Sequence, residues 1–312
     1  MTELSTQPIL CRSIISPHWL STEDCKMMKL KGNPDVAFQG ELGAYGESAV
    51  YKIFGSEVKP KSCKRFSDVF EDVKMNVTDF GVVPIENSIE GSVSQVYDLF
   101  LRYDLNVCGE TALRISHCFI ANLDTDIENV KTVYSHPQAL GQCRNYLEDM
   151  GFELVSTYDT AGSVKMIKEQ SLKDAAAIAS ERAAEIYEMK ILSNDIADNP
   201  NNYTRFFVLS KTKLPATGND KTSIIFSTRH VAGALYDALG ELAIRGINMT
   251  KIESRPTRKK AWEYNFYLDF EGHQSERRCV EAIKGLSDKS VFVRILGSYP
   301  KDTTQVNESK DS

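Results

Sequence analysis

From Asp35 onward, short β-rich apolar runs alternate with stretches of helical period, and that alternation most limits what the chain can fold into. Val36-Ala37-Phe38 is stopped by Gly40, and Gly43, Ala44 and Gly46 lead into Ala49, Val50, Ile53 and Phe54 on one helix face. Phe80 to Ile85 reads as a strand buried on both faces, with Pro84 confined to its end or edge. Val93, Val96, Tyr97, Phe100 and Leu101 then mark a helix, and Ser92 with Gln95 predicts a capping box at its start. Val130 to Tyr134, a helix from Pro137, Glu153 to Ser156, a helix from Ala161, Ala175 to Ala179 and a helix from Glu181 continue the series. This is α/β, with helices covering a largely parallel sheet.

At KTKLPATGNDK (211–221) the pattern breaks, and residues 212–221 are expected to be a linker. Beyond it, strand, helix, two strands, helix and strand follow within about 80 residues, the βαββαβ order of a ferredoxin-like unit over 222–300. The tail 301–312 has little to bury and is expected to be disordered.

Composition narrows function. The 312 residues are 42% apolar and 26% charged with net charge −6, so nothing favours nucleic acid or an anionic membrane. No apolar run approaches the roughly 18 residues of a membrane span. Seven scattered cysteines without CxxC spacing suggest neither a disulfide framework nor a zinc site. Residues 1–34 read as a mobile extension, lacking both a signal-peptide core and transit-peptide basicity, which favours the cytosol. The Gly40–Gly43–Gly46 spacing fits neither a dinucleotide fingerprint nor a P-loop, so nucleotide binding is discarded.

Polar residues cluster where strands meet helices, the edge of an open α/β sheet at which ligands bind. The segment 84–92 offers Asn87, Ser88 and Ser92 as neutral donors, though Ser92 could only cap and Asn87 only support a turn. In 135–142, Pro137 suits the first helical position, and Gln138 and Gln142 share a face above Ser135. His136 reads first as a capping or packed histidine and only second as a general base. Asp159 or Thr160 caps the next helix. Thr204 and Arg205 stand where a polar loop feeds an apolar strand; Arg205 could hold a carboxylate by a bidentate pair or simply form a surface ion pair.

Phe38-Gln39-Gly40 with Gly43, PIENSIEGSV (84–93), SHPQALGQC (135–143), DTAG (159–162), NYTRF (202–206), GAL (233–235) and ESRP (253–256) occur in the order found in prephenate and arogenate dehydratases. From about residue 35 to 300 the chain resembles that family. The resemblance implies a two-lobed, periplasmic-binding-protein-like catalytic domain over 35–211, followed by an ACT regulatory domain. It implies decarboxylative dehydration of prephenate to phenylpyruvate, with no cofactor and no metal. Thr204 would then assist the leaving hydroxyl, with Asn87, Ser88, Ser92, Ser135, Gln142 and Thr160 orienting substrate and Arg205 a candidate for one carboxylate. It also implies feedback inhibition by L-phenylalanine at a site shared between subunits of a homodimer or homotetramer. Gly233, Ala234, Leu235, Asn248, Glu253, Ser254, Arg255 and Pro256 would form that site. Arogenate as substrate remains open, as does a non-catalytic amino-acid sensor; the match at Thr204-Arg205-Phe206 with Ser135 and Gln142 argues against the sensor.

Overall fold

The computed structural model describes residues 33–257 and 262–302. β1 (Val36–Gln39) pairs in parallel with β2 (Pro60–Cys63) and β3 (Phe80–Asn87), connected through α1 (Tyr45–Phe54) and α2 (Phe66–Lys74). The apolar stripe read from sequence, Ala49, Val50, Ile53 and Phe54, is the buried face of α1. A short β4 (Gly91–Ser92) folds back on β3, α3 (Ser94–Phe100) follows, and β5 (Asn106–Arg114) completes the outbound pass through this lobe. Residues 115–117 then cross to a second sheet. It holds β6 (Cys118–Ala121), β7 (Thr132–Ser135), β8 (Glu153–Ser156), β9 (Ala175–Ala179) and β10 (Lys190–Ser193). Around it lie α4 (Pro137–Gln142), α5 (Arg144–Met150), α6 (Thr160–Glu169) and α7 (Glu181–Ile186). Residues 194–202 cross back, and β11 (Tyr203–Ser210) inserts between β3 and β5.

Both sheets are mixed, not largely parallel. Their orders are β2-β1-β3-β11-β5 and β10-β6-β9-β7-β8, and β11 and β6 each run antiparallel to both neighbours. Each is reached by a crossing segment with no helix to carry the chain back to the starting edge, so it enters against the parallel strands. Pro84 is tolerated inside β3 because β1 pairs only as far as Val82, and because the β11 register skips Ile85 to form a bulge. The expected capping box is absent: α3 begins at Ser94 after Val93, and Ser92 belongs to β4. Gly43 seats one lobe on the other. At φ 89° its missing Cβ would fall 2.7 Å from Ala183 Cα of α7, and its carbonyl accepts from Ser180 Oγ at 2.6 Å.

The C-terminal unit contains β12 (Asp220–Thr228), α8 (Ala234–Ala243), β13 (Met249–Pro256), β14 (Tyr264–Glu271), α9 (Arg277–Asp288) and β15 (Ser290–Pro300). Its antiparallel order β13-β14-β12-β15 is the ferredoxin-like arrangement, and β12 begins inside the stretch expected to be linker. One face carries the helices over Ile224, Phe226, Leu268 and Phe270. The other sends Ile225, Tyr267, Leu296 and Tyr299 into the core of the first lobe, with ring pairs Tyr97–Tyr267 at 4.3 Å and Phe207–Tyr299 at 5.5 Å. Gly297 permits that approach, since a Cβ there would meet the Val107 carbonyl.

The expectations for the extension 1–34 and the tail 301–312 lie mostly outside the described residues. Of the tail, Asp302 packs back, its Oδ2 accepting from the Ala112 N–H at 2.8 Å. No described helix is long and apolar enough to cross a membrane.

Candidate active site

A cleft of about 710 Å³ opens between the two lobes, walled by residues from β3, β4, α1, α4, α6, β11 and the first crossing segment. Asn87 organises its floor. The Asn87 side-chain oxygen accepts from the N–H groups of Ile89 at 3.0 Å and Glu90 at 2.9 Å, which turns the chain after β3. The Asn87 Nδ2 then donates to Asn202 Oδ1 at 2.7 Å and to Thr204 Oγ1 at 3.0 Å. Thr204 sits opposite Asn87 on β11 and lines the cleft. Because its oxygen accepts from Asn87, its own proton is free to be donated into the cleft.

From the second lobe, Gln142 and Thr160 line the same cleft. Gln142 Oε1 accepts from Asn202 Nδ2 at 2.9 Å and lies 2.9 Å from His117 Nε2. Thr160 opens α6 beside Asp159, whose Oδ1 caps the N–H groups of Ala161 and Gly162 at 2.8 and 3.1 Å. The other Asp159 oxygen accepts from Glu41 N–H of the first lobe at 3.2 Å, so this carboxylate also bridges the lobes. Burial raises its pKa, against the opposing pull of those backbone donors. His136 caps α4, its Nδ1 accepting from Gln138 N–H at 3.2 Å, as the first reading of that residue had it.

Several expected site residues are placed elsewhere. Arg205 follows Thr204 on β11, and side chains alternate along a strand, so its guanidinium points away from the cleft. It ion-pairs with Asp269 of β14 and lies 3.4 Å from Glu110 and 3.6 Å from Glu86. Burial works against its charge, but Asp269, Tyr299 and Glu110 more than offset it and hold the pKa well above the ordinary arginine range. Ser135 is fully buried, with Oγ donating to the Ile178 carbonyl at 2.6 Å, a tie between β7 and β9. Ser88 braces the loop after β3, donating to Asn201 O at 3.1 Å and accepting from Tyr203 N–H at 2.9 Å. Ser92 does line the cleft, yet its hydroxyl is held from the C-terminal unit by Glu253 and by Lys251 at 3.0 Å.

The expected phenylalanine residues divide in the same way. Gly233 takes φ 80° and opens α8, and Ala234 and Leu235 line a small cavity of about 160 Å³ with Thr228, Tyr264 and Phe266. Ser254 and Pro256 pair with Phe266 and Tyr264 and share that side of the sheet. Glu253 and Arg255 alternate to the other side, where Arg255 donates to Ser94 O at 2.6 Å. Asn248 uses its carbonyl to accept from Glu271 N–H at 2.9 Å.

Lys64, Arg65, His117, Tyr45 and Asn202 join the site in the folded chain without being candidates from sequence. Lys64 and Arg65 supply cations at the cleft wall; Arg65 pairs with Asp68 at 2.8 Å, and Lys64 is exposed with no ion pair among the described residues. Asn202 was visible as the first residue of NYTRF, while His117, Tyr45, Lys64 and Arg65 sit in no segment whose spacing announces a role.

The sequence model of the family "Prephenate dehydratase" matches residues 36–214. An Arabidopsis thaliana chloroplastic arogenate dehydratase/prephenate dehydratase is 44% identical over 283 residues, covering 87% of this chain and 74% of that protein. A quorum-quenching acylase superposes with TM-score 0.79 at 31% identity, over 87% of this chain and 99% of its own. The prephenate dehydratase of Arthrobacter aurescens in complex with L-Phe superposes with TM-score 0.79 at 30% identity, over 86% of this chain and 90% of its own. Matched by one family over more than half its length and closely related to a curated dehydratase, this chain belongs to the prephenate dehydratase family and is an enzyme of the hydro-lyase kind.

Proposed function

We propose that the cleft binds prephenate and converts it to phenylpyruvate, CO2 and water. The observation that carries this reading is the Thr204 hydroxyl, held in the cleft by Asn87 with its proton uncommitted. In prephenate the ring carboxylate leaves as CO2, the electron pair of that C–C bond enters the ring, and the C–O bond to the 4-hydroxyl breaks, its electron pair staying on the oxygen, which takes one proton, relayed from solvent through the cleft donor, to leave as water. Hydroxide is a poor leaving group, so a donor aimed at that oxygen lowers the barrier as charge develops there. Thr204 is a weak acid and acts by position, its partner Asn87 already oriented by two backbone amides. Aromatisation supplies the driving force.

Lys64 and Arg65 suit the side-chain carboxylate, which survives the reaction, so its ion pair persists from ground state to transition state. The departing ring carboxylate is better placed against neutral and apolar wall such as Ile115, Ala139 and Phe206, because a cation there would stabilise the group that must be lost. Gln142 and Thr160 are left to orient the remaining oxygens. An acyl-transfer reading, prompted by the acylase relative, would need a base beside the nucleophile; among the described residues the Thr204 hydroxyl has only the Asn87 amide.

The same cleft accommodates arogenate, which carries an ammonium in place of the side-chain keto group. Comparing kcat/KM on prephenate and arogenate, with phenylpyruvate and phenylalanine as products, decides between them; prephenate is expected to be preferred. The cavity at Ala234 and Leu235 is our candidate for L-phenylalanine, supported by its place at the start of α8, where Gly233 takes a positive φ. Exposed Val231, Tyr236 and Ile244 nearby suit a second copy of the chain, as a homodimer or homotetramer. Saturating phenylalanine is expected to raise Tm and lower turnover together. Five free, buried cysteines among the described residues fit a reducing compartment, and we keep the cytosol as the location.

A further inference from the structure

The contacts on the cleft floor extend into a chain of neutral groups through both lobes and both crossing segments, and the direction of its bonds from Asn87 to His117 Nε2 can be deduced. A backbone N–H only donates, so the Asn87 atom facing the amides of Ile89 and Glu90 at 3.0 and 2.9 Å is the oxygen. Its nitrogen therefore donates to Asn202, whose facing atom must be oxygen, at 2.7 Å. Asn202, wholly buried in the second crossing segment, then presents its nitrogen to Gln142 at 2.9 Å, so that Gln142 atom is also oxygen. An amide oxygen only accepts. His117 Nε2, 2.9 Å from the same oxygen, must carry a proton.

The other ring nitrogen, Nδ1, lies 2.9 Å from Tyr45 Oη on α1, back in the first lobe. Both partners of this buried ring are neutral, and burial disfavours the imidazolium. In the neutral ring Nδ1 accepts the Tyr45 proton, for which the Ser116 carbonyl at 2.6 Å is the alternative acceptor. The titratable groups around Tyr45 are Cys118, Cys143 and Asp195. Asp195 is engaged by Ser116 Oγ at 2.5 Å and Arg114 at 3.2 Å, so no free carboxylate draws a second proton onto the imidazole.

With Asn202 and His117 both donating to Gln142 Oε1, that oxygen is saturated, and the polar group Gln142 has left for the cleft is its NH2. We propose that His117 and Tyr45 are positioning residues: His117, as the neutral Nε2–H tautomer, fixes the Gln142 carboxamide so that its two N–H donors face an oxygen of the substrate, and the chain, anchored on the first lobe at Asn87 and at Tyr45, holds the lobes in register. The catalytic half of this statement rests on the cleft being the dehydratase site; the tautomer does not. The same polarity reaches Thr204 through Asn87, so one chain of bonds sets both Thr204 and Gln142.

Two measurements test it. Ring nitrogen chemical shifts of the full-length protein labelled with ¹⁵N-histidine, assigned by the loss of signals in His117→Gln, should show Nε2 protonated and Nδ1 bare at neutral pH. A ring protonated at Nδ1 would overturn the chain. In steady-state kinetics, His117→Met should lower kcat/KM by about ten- to a hundredfold, mostly through KM, whereas His117→Gln, which keeps an N–H near Nε2, should stay within about threefold of wild type. Equal kinetics of the two variants per folded molecule would reject the positioning role even if the tautomer is as deduced. Should the wild type show the tautomer but no dehydration, the functional reading fails while the chain of bonds stands.

Discussion

Thr204 and Arg205 are neighbours on β11 and face opposite sides of one sheet, and the two sides hold their groups by different physics. On the cleft side every partner of Thr204 and Gln142 is uncharged: Asn87, Asn202 and His117 pass hydrogen bonds from one to the next. On the other side Arg205 meets Asp269, Glu110 and Glu86, and Lys221 adds a cation 2.9 Å from Glu110. Asp269, despite full burial, is held below the usual carboxylate range by Arg205, Ser223 and Lys221. Neutral groups leave the cleft able to accept a charge that appears only during reaction. Fixed opposite charges do the reverse: once desolvated they must stay paired, which suits a seam between the first lobe and the C-terminal unit. The lesson is that adjacency in sequence says nothing about shared chemistry on a strand.

The sharpest way to break this contrast is to exchange what each side can tolerate. Arg205→Met leaves buried Asp269 without its ion-pair partner and Glu110 with Lys221 alone, and should cost about 3–5 kcal/mol of stability in denaturant titration, with KM per folded enzyme nearly unchanged. A large rise in KM at unaltered stability would return Arg205 to the role of carboxylate ligand. Thr204→Ala should leave stability almost untouched and lower kcat by about a hundred- to a thousandfold with little change in KM. Thr204→Ser should restore most of the rate; an alanine variant turning over within a few-fold of wild type removes this hydroxyl from the chemistry.

Smaller effects sharpen the cleft side. Lys64→Met should raise KM by about three- to tenfold at low salt, leave kcat alone, and lose its effect as salt screens the cation in the parent enzyme. The smallest effect concerns His117. Burial lowers its pKa below 6.5, opposed by the hydrogen bond with Gln142. Between that lowered value and 6.5 the unfolded chain binds more protons than the folded one. Stability should therefore be full above 6.5 and be lost as pH falls through the folded pKa. Tm measured against pH should show this ramp in wild type and a flatter profile in His117→Gln.

Much of the fold could be read from periodicity, because apolar stripes such as Ala49 to Phe54 report which face a helix must bury. The ferredoxin-like order of the C-terminal unit was legible for the same reason. Strand direction was not. Nothing local to β6 or β11 reveals that each enters its sheet after a crossing between lobes. Ser92 shows a related limit: its spacing to Gln95 matched a cap, yet the residue pairs in β4 and its hydroxyl goes to Glu253. The motifs located the cleft through Asn87, Gln142, Thr160 and Thr204, but they also included Ser88, Ser135 and Arg205, whose polar atoms serve the scaffold.

By itself the sequence determined the kinds of element, their order, and the neutral polar residues at the ends of strands, since local propensity and burial pattern act over a few residues. Which of those residues face one another was decided only by the tertiary structure. Asn87, His117, Gln142 and Asn202 lie up to 115 positions apart and come together only when two lobes close on two crossing segments. A hydrogen bond needs its atoms within about 3 Å, and only the packed chain sets distances on that scale.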